Sequence, residues 1–145
     1  MTSKERGQYI HYMLDTLFTR EKHILREYFG INSSGPMETR PRRYSNKRYS
    51  LEEIGRDFEI TTRKGNYIKN RGVRKIRYRL INGGVEYGND GKGVVLEDQD
   101  PYNKLKEYVE GINPDLIHKE LPYHYSKSLD EFMLCLIDGV FTKSN

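Results

Sequence analysis

Residues 50–68 of the chain, SLEEIGRDFEITTRKGNYI, decide how it folds. Ser50 and Glu53 form a capping box, in which each side chain satisfies a backbone N–H group that lacks a partner at the start of a helix. Apolar side chains then recur at helical spacing on one face, at Leu51, Ile54 and Phe58. Residues 59–61 interrupt this spacing, and Thr61 or Thr62 can cap a new helix. The pattern therefore predicts a short helix, a tight turn and a second helix.

The second predicted helix, residues 62–79, has an apolar stripe and an otherwise basic surface. The stripe consists of Ile68, Val73, Ile76 and Leu80. Between Thr61 and Leu80 there are eight Lys and Arg residues and no acidic residue. Because like charges repel each other on an isolated helix, a polyanionic partner is the simplest compensation. Two helices that are joined by a tight turn and pack through apolar stripes are typical of a helix-turn-helix, which projects its second helix into the major groove of DNA.

The sequence divides the predicted DNA contacts into two groups. The N-terminal turns of the second helix are expected to touch base edges through Thr62, Arg63, Lys64, Asn66 and Tyr67. Phosphate contacts are expected from Arg42, Arg43, Lys47, Arg48, Lys69, Arg71, Arg74, Lys75 and Arg77. The alternative interpretation is a basic surface helix with no nucleic-acid partner.

The remaining sequence predicts a mainly α fold with a possible small β-hairpin. A helical pattern covers residues 8–29, with Thr19 able to restart the helix, and a polar, Pro- and Gly-broken loop follows at 32–48. This loop is either a connector or an arm that contacts phosphates. Residues 1–80 are thus predicted to form the DNA-binding domain, with 32–48 as a loop insertion.

The second part of the chain is predicted to contain a linker and an appendage. Residues 81–100 are Gly-rich and suit a linker or a hairpin that turns at Asn89-Asp90-Gly91. Residues 101–145 suggest an acidic, helical C-terminal extension. Its last helix, 129–141, is apolar on nearly all sides, which indicates either a core helix or a docking surface.

The charge is distributed unevenly between these parts. Residues 1–80 hold 19 Lys and Arg against 9 Asp and Glu, a net charge of +10, whereas residues 81–145 hold 6 against 12, a net charge of −6. This asymmetry favours a polyanion as the partner of the first part.

Several classes of protein are disfavoured by the sequence. No apolar run approaches the roughly 20 residues of a membrane span, and a single cysteine, Cys135, suits a reducing cytoplasm. His118 and His124 have no standard zinc-ligand spacing, and Cys135 lies in an apolar helix that favours an inert thiol. We therefore expect no catalytic residue, no metal and no cofactor, and we expect a cytoplasmic, nucleoid-associated protein.

Three blocks of the sequence resemble region 4 of bacterial housekeeping sigma factors. Residues 17–31, LFTREKHILREYFGI, are similar to the first helix of that region, and residues 50–61 are similar to its Thr/Ser-Leu-Glu-Glu-Ile-Gly block. Residues 71–77, RGVRKIR, are similar to the block that closes the recognition helix. The family usually has Glu at the position of Arg63 and Gln at that of Tyr67, and a Gly at that of Glu59.

The resemblance implies two activities. The recognition helix of region 4 reads the promoter −35 element, which would place base reading on Thr62, Arg63, Lys64, Asn66 and Tyr67. An apolar surface of region 4 grips the β flap of RNA polymerase, which would fall here on Leu17, Leu25 and Phe29. Nothing resembles region 2, so a second protein would have to supply promoter opening. Such a stand-alone region 4 suits a phage, a mobile element or a split sigma factor.

Two other functions stay open at the level of the sequence. One is a free-standing helix-turn-helix regulator that binds an operator as a dimer through helix 129–141. The other is a polymerase-binding adaptor whose second helix does not read bases.

Overall fold

The computed structural model describes residues 1–31, 48–87, 93–95, 98–121 and 126–141. The helices and strands in chain order are α1 Ser3–Asp15, α2 Thr19–Phe29, α3 Leu51–Phe58, α4 Thr62–Ile81, β1 Val85–Tyr87, β2 Gly93–Val95, α5 Asp100–Ile112, α6 Asp115–His118 and α7 Ser126–Ile137. The protein is thus mainly helical, as predicted. None of the described helices is both long and apolar enough to cross a bilayer.

The predicted helix 8–29 is two helices, α1 and α2. The Thr16 hydroxyl donates a hydrogen bond to the Met13 carbonyl over 2.6 Å and ends α1. Phe18, rather than Thr19, is the N-cap of α2, and its backbone N–H donates to the Glu21 carboxylate over 3.3 Å. The break between the helices therefore places an aromatic side chain at a helix start.

Local sequence signals set the ends of α3 as predicted. The Ser50 hydroxyl accepts from the Glu53 N–H, and the Glu53 carboxylate accepts from the Ser50 N–H, each over 3.1 Å. At the other end, Glu59 adopts the left-handed conformation, with φ 55° and ψ 45°. A side chain raises the energy of this conformation by about 1–2 kcal/mol, so the turn carries strain that glycine would relieve.

The predicted hairpin forms from β1 and β2, which pair antiparallel with Val85 opposite Val95. The turn predicted at Asn89-Asp90-Gly91 lies outside the described residues.

One apolar core includes most of the described helices. It combines buried side chains of α1 and α2 with those of α4, α5, α6 and α7: Ile10, Met13, Leu14, Leu25, Phe29, Val73, Ile76, Leu80, Tyr102, Leu105, Val109, Ile117, Leu129, Phe132, Met133, Leu136 and Ile137. The C-terminal helices thus complete the core that α1, α2 and α4 begin, instead of forming an appendage. Most apolar residues of α7 lie in this core, whereas Leu134 is exposed.

Candidate nucleic-acid interface

The α3–turn–α4 unit is held by a small second cluster of apolar side chains. Ile24 of α2, Ile54 of α3 and Ile68 of α4 are buried together. Leu51 and Phe58 of α3 and Ile60 of the turn pack against them. The cluster thus packs α3 and the turn against α4, and the apolar spacing of the sequence predicted this packing.

The turn passes unusually close to α3 at Gly55. The Ile60 N–H donates to the Gly55 carbonyl over 2.9 Å, and a Cβ atom on residue 55 would lie 2.8 Å from the Ile60 carbonyl oxygen. Real Cβ atoms do not approach a backbone oxygen this closely, so the turn requires glycine at this position.

The first turns of α4 are exposed and positively charged. Thr61 is the N-cap, and its hydroxyl accepts from the Lys64 N–H over 3.0 Å. The side chains of Thr62, Arg63, Lys64 and Tyr67 are exposed and that of Asn66 is half-buried. No acidic residue lies in this first turn. The five residues predicted to read bases therefore lie together on one accessible end of α4.

Tyr67 lies between two cations on the exposed surface of α4. The Lys64 Nζ atom is 5.5 Å from the centroid of its ring, and the Arg71 guanidinium carbon is 5.7 Å from it. These distances are within the range of cation–π attraction.

Lys69 does not face solvent, so the prediction that it contacts phosphate is wrong. Its side chain is completely buried, and its ammonium group lies 2.7 Å from the Asp130 carboxylate of α7. The Tyr28 hydroxyl donates to the same carboxylate over 2.7 Å. Burial lowers the pKa of Lys69 and Asp130 opposes this shift, while burial and the bond to Asp130 raise the pKa of Tyr28 to about 12.

Arg71 and Lys75 share one buried acid, Glu21 of α2. The Arg71 Nε atom lies 2.7 Å and the Lys75 Nζ atom 2.9 Å from its carboxylate oxygens. Burial alone would favour the neutral carboxyl, but the bonds from Lys75 and Arg71 outweigh it and hold the pKa of Glu21 below its ordinary value. Both basic side chains remain partly exposed, so a phosphate contact stays a prediction for them.

The last turns of α4 direct two arginines to internal acceptors. Arg77 donates to the carbonyls of Leu116 and Lys119, over 2.8 and 2.6 Å, and so binds the end of α6. Arg79 is buried and donates to the Thr16 hydroxyl over 2.8 Å. Asp130 and Glu21 thus compensate part of the positive charge of α4 within the protein, so a polyanionic partner is not its only compensation.

The loop residues predicted to contact phosphates are covered only in part. Arg42, Arg43 and Lys47 lie outside the described residues. Arg48 is exposed, and its Nε atom donates to the Tyr28 carbonyl over 3.1 Å. Arg74 lies half-buried on α4.

The three side chains predicted to bind polymerase are not on the surface. Leu25 and Phe29 are 0% and 1% exposed and Leu17 is 7% exposed, and all three belong to the main core. The prediction is wrong because the apolar face of α2 packs against α4, so these three side chains are not accessible to a partner.

Sequence reasoning missed three residues that organise this surface: Phe18, Glu21 and Asp130. The side chain of Phe18 is 68% exposed, and the Lys75 Nζ atom lies 3.9 Å from its ring centroid. Glu21 and Asp130 lie on helices distant in sequence from α4, so only a signal of spatial proximity could have identified them.

Groups associated with catalysis or metal binding are not clustered in the described part of the chain. No set of three His, Cys, Asp or Glu residues there could hold a metal ion. His118 contacts Glu110 over 3.0 Å on the surface. Burial raises the pKa of the Cys135 thiol.

Comparison of the chain with known protein families, with curated proteins and with solved structures finds no match.

Proposed function

We propose that the protein is a helix-turn-helix transcription factor of the sigma region 4 type, which binds duplex DNA through the first turns of α4 and acts with RNA polymerase. The observation that carries this proposal is the exposed, acid-free N-terminal end of α4, held in place by α3. A helix held in this way can enter the major groove with its first residues on the base edges.

Arg63 is the residue best suited to read a base. It is exposed in the first turn of α4, where Lys64 and Thr62 are its exposed neighbours. An arginine can donate two hydrogen bonds to guanine, and such a pair contributes about 1–3 kcal/mol of discrimination. The family usually has Glu at this position, so the DNA sequence read here should differ from a typical −35 element.

The polymerase partner rests on the resemblance of residues 17–31, 50–61 and 71–77 to region 4. The surface that binds the β flap must lie elsewhere than Leu17, Leu25 and Phe29, because these are core residues. A dimer formed through α7 is disfavoured, because Phe132, Met133 and Leu136 of that helix are buried in the protein's own core.

The first test is selection of duplex DNA from a random-sequence pool at about 150 mM salt, where nonspecific binding is weak. We expect the protein to enrich one motif. Arg63→Ala should weaken binding to that motif about 10-fold or more and relax the preference at one base pair. Lys104→Ala, which removes an exposed lysine from α5, is the matched control and should change the affinity by less than twofold.

The second test is co-elution of the full-length protein with bacterial core RNA polymerase on a sizing column. Co-elution together with an enriched motif would support the sigma-like function. An enriched motif without co-elution would indicate a free-standing regulator, and co-elution without a motif would indicate an adaptor that does not read bases.

A further inference from the structure

Aromatic and basic side chains lie along one face of α4. We call this surface the aromatic–basic stripe; it consists of Phe18, Lys64, Tyr67, Arg71, Arg74, Lys75 and Tyr78. The α4 members are three or four residues apart, apart from the neighbours Arg74 and Lys75, so they share one face of the helix. Phe18 joins them from the start of α2, because the Lys75 Nζ atom lies 3.9 Å from its ring centroid.

The three aromatic rings of the stripe are unusually accessible. Phe18 is 68% exposed, Tyr67 is 47% exposed and Tyr78 is 42% exposed. They make up half of the large hydrophobic residues that the described part of the chain exposes. Single exposed apolar residues are ordinary, so the case for a binding surface depends on the cations beside these rings.

Cations of the stripe lie next to the rings of Tyr67 and Phe18. Lys64 and Arg71 are within 5.7 Å of the Tyr67 centroid, and Lys75 is over Phe18. The buried carboxylate of Glu21 compensates one of the two charges of Arg71 and Lys75, so this group keeps a net positive charge. The stripe therefore presents ring surfaces and positive charge side by side.

We propose that the aromatic–basic stripe binds single-stranded nucleic acid. Unpaired bases would stack on the rings of Phe18, Tyr67 and Tyr78, while the adjacent cations contact the phosphates; this combination is the usual design of single-strand binding surfaces. Tyr67 and Tyr78 are 11 residues apart, about 16 Å along the helix axis. At roughly 3.4 Å or more per nucleotide, this length accommodates several bases.

Duplex DNA cannot stack its bases on the rings of such a surface. Its bases are stacked on one another and present only their edges in the grooves, so the faces of the rings find no partner there. An acidic peptide would use the cations but leave the rings without stacking partners. The combination of exposed rings and neighbouring cations thus favours unpaired bases.

This inference goes beyond duplex binding and does not depend on it. Phe18 and Tyr78 lie outside the set of residues proposed to read base edges, so variants at these positions separate the two activities. Both side chains are exposed, and their truncation is expected to leave the fold intact, which circular dichroism can verify.

The experiment measures fluorescence anisotropy of the full-length protein with labelled oligo(dT) and oligo(U) of about 12 nucleotides, and with a duplex of the same length, at about 150 mM salt. We expect a single strand to bind, and comparison of the two oligomers shows whether DNA or RNA is preferred. Phe18→Ala and Tyr78→Ala should each weaken that binding at least about fivefold, since a stacked base is lost. Both should leave duplex affinity within twofold.

Ile112→Ala is the matched control, because Ile112 is 57% exposed on α5 and lies outside the stripe. The proposal is overturned if no single strand binds, if the aromatic variants behave like Ile112→Ala, or if they weaken duplex and single-strand binding equally. It is also overturned if poly(Glu) displaces the oligonucleotide as well as unlabelled oligo(dT) does. Arg63→Ala tests the proposed duplex function separately. If this variant binds duplex DNA as well as the wild type does, the duplex proposal fails and the single-strand proposal is unaffected.

Discussion

The contact between Lys69 and Asp130 offers the sharpest test of how the C-terminal helices support α4. The Lys69 side chain is completely buried and its ammonium group lies 2.7 Å from the Asp130 carboxylate. Asp130→Ala would remove one partner of this buried ion pair, and such a removal typically costs 3–5 kcal/mol. The Tyr28 ring, 4.6 Å from the ammonium group, and the partial exposure of Asp130 reduce this cost. We therefore expect a loss of about 3 kcal/mol in the free energy of unfolding.

Urea unfolding of wild type, Asp130→Ala and the control Glu131→Ala measures this loss. Glu131 is the exposed neighbour of Asp130 in α7, and its removal should change stability by no more than about 0.5 kcal/mol. In thermal unfolding, about 3 kcal/mol corresponds to a decrease in Tm of roughly 6–12 °C for a chain of this size. The reasoning is refuted if Asp130→Ala and Glu131→Ala change the free energy of unfolding by the same amount.

Two further measurements identify the buried charge as the cause. Lys69→Met added to Asp130→Ala removes the buried cation as well, so the double variant should be more stable than Asp130→Ala alone. Burial lowers the pKa of Lys69 from 10.5, and loss of Asp130 removes the interaction that opposes this. At a pH between the pKa of Lys69 in the folded variant and 10.5, the unfolded chain binds more protons than the folded one. The loss in free energy of unfolding caused by Asp130→Ala should therefore shrink as the pH rises toward 10.5.

Three more predictions follow from single positions. Glu59→Gly should raise the free energy of unfolding by about 0.5–1 kcal/mol, because relief of the left-handed strain exceeds the entropy cost of glycine. Leu25→Ala should lower it by about 2–5 kcal/mol, measured by urea unfolding, because Leu25 is a core residue. Burial and the nearby Arg26 lower the pKa of His11. Its unfolded form therefore binds the extra proton below pH 6.5, so stability should fall as the pH drops through that value, and His11→Gln should reduce the slope.

For each of these predictions, a control measurement defines the outcome that would contradict it. Arg56→Gly, in the helical last turn of α3, should destabilise by up to about 1 kcal/mol, and a similar loss for Glu59→Gly would contradict the left-handed strain. Leu134→Ala removes a partly exposed leucine, and an equal loss for Leu25→Ala would argue against its burial. An unchanged slope of stability with pH in His11→Gln would exclude His11 as its source.

The sequence by itself determined the local structure of the candidate interface. The capping box at Ser50, the spacing of Leu51, Ile54 and Phe58 and the basic run after Thr61 predicted α3, the turn and α4 close to where the structure has them. These features depend on neighbours three or four residues away, whose effects can be read along the chain. The exposed first turn of α4 follows from the same periodicity.

The tertiary structure alone decided which charged and which apolar side chains are exposed to a binding partner. Leu25 and Phe29 are buried because α2 packs against α4, and Lys69 is buried because α7 provides Asp130. Phe18 remains exposed because the break between α1 and α2 places it at a helix start, outside the core. The ion pair between Lys69 and Asp130 joins residues 61 positions apart, and the hydrogen bond between Tyr28 and Asp130 spans 102 positions. Local spacing carries no information about such distant contacts, whereas packing around a shared core fixes them.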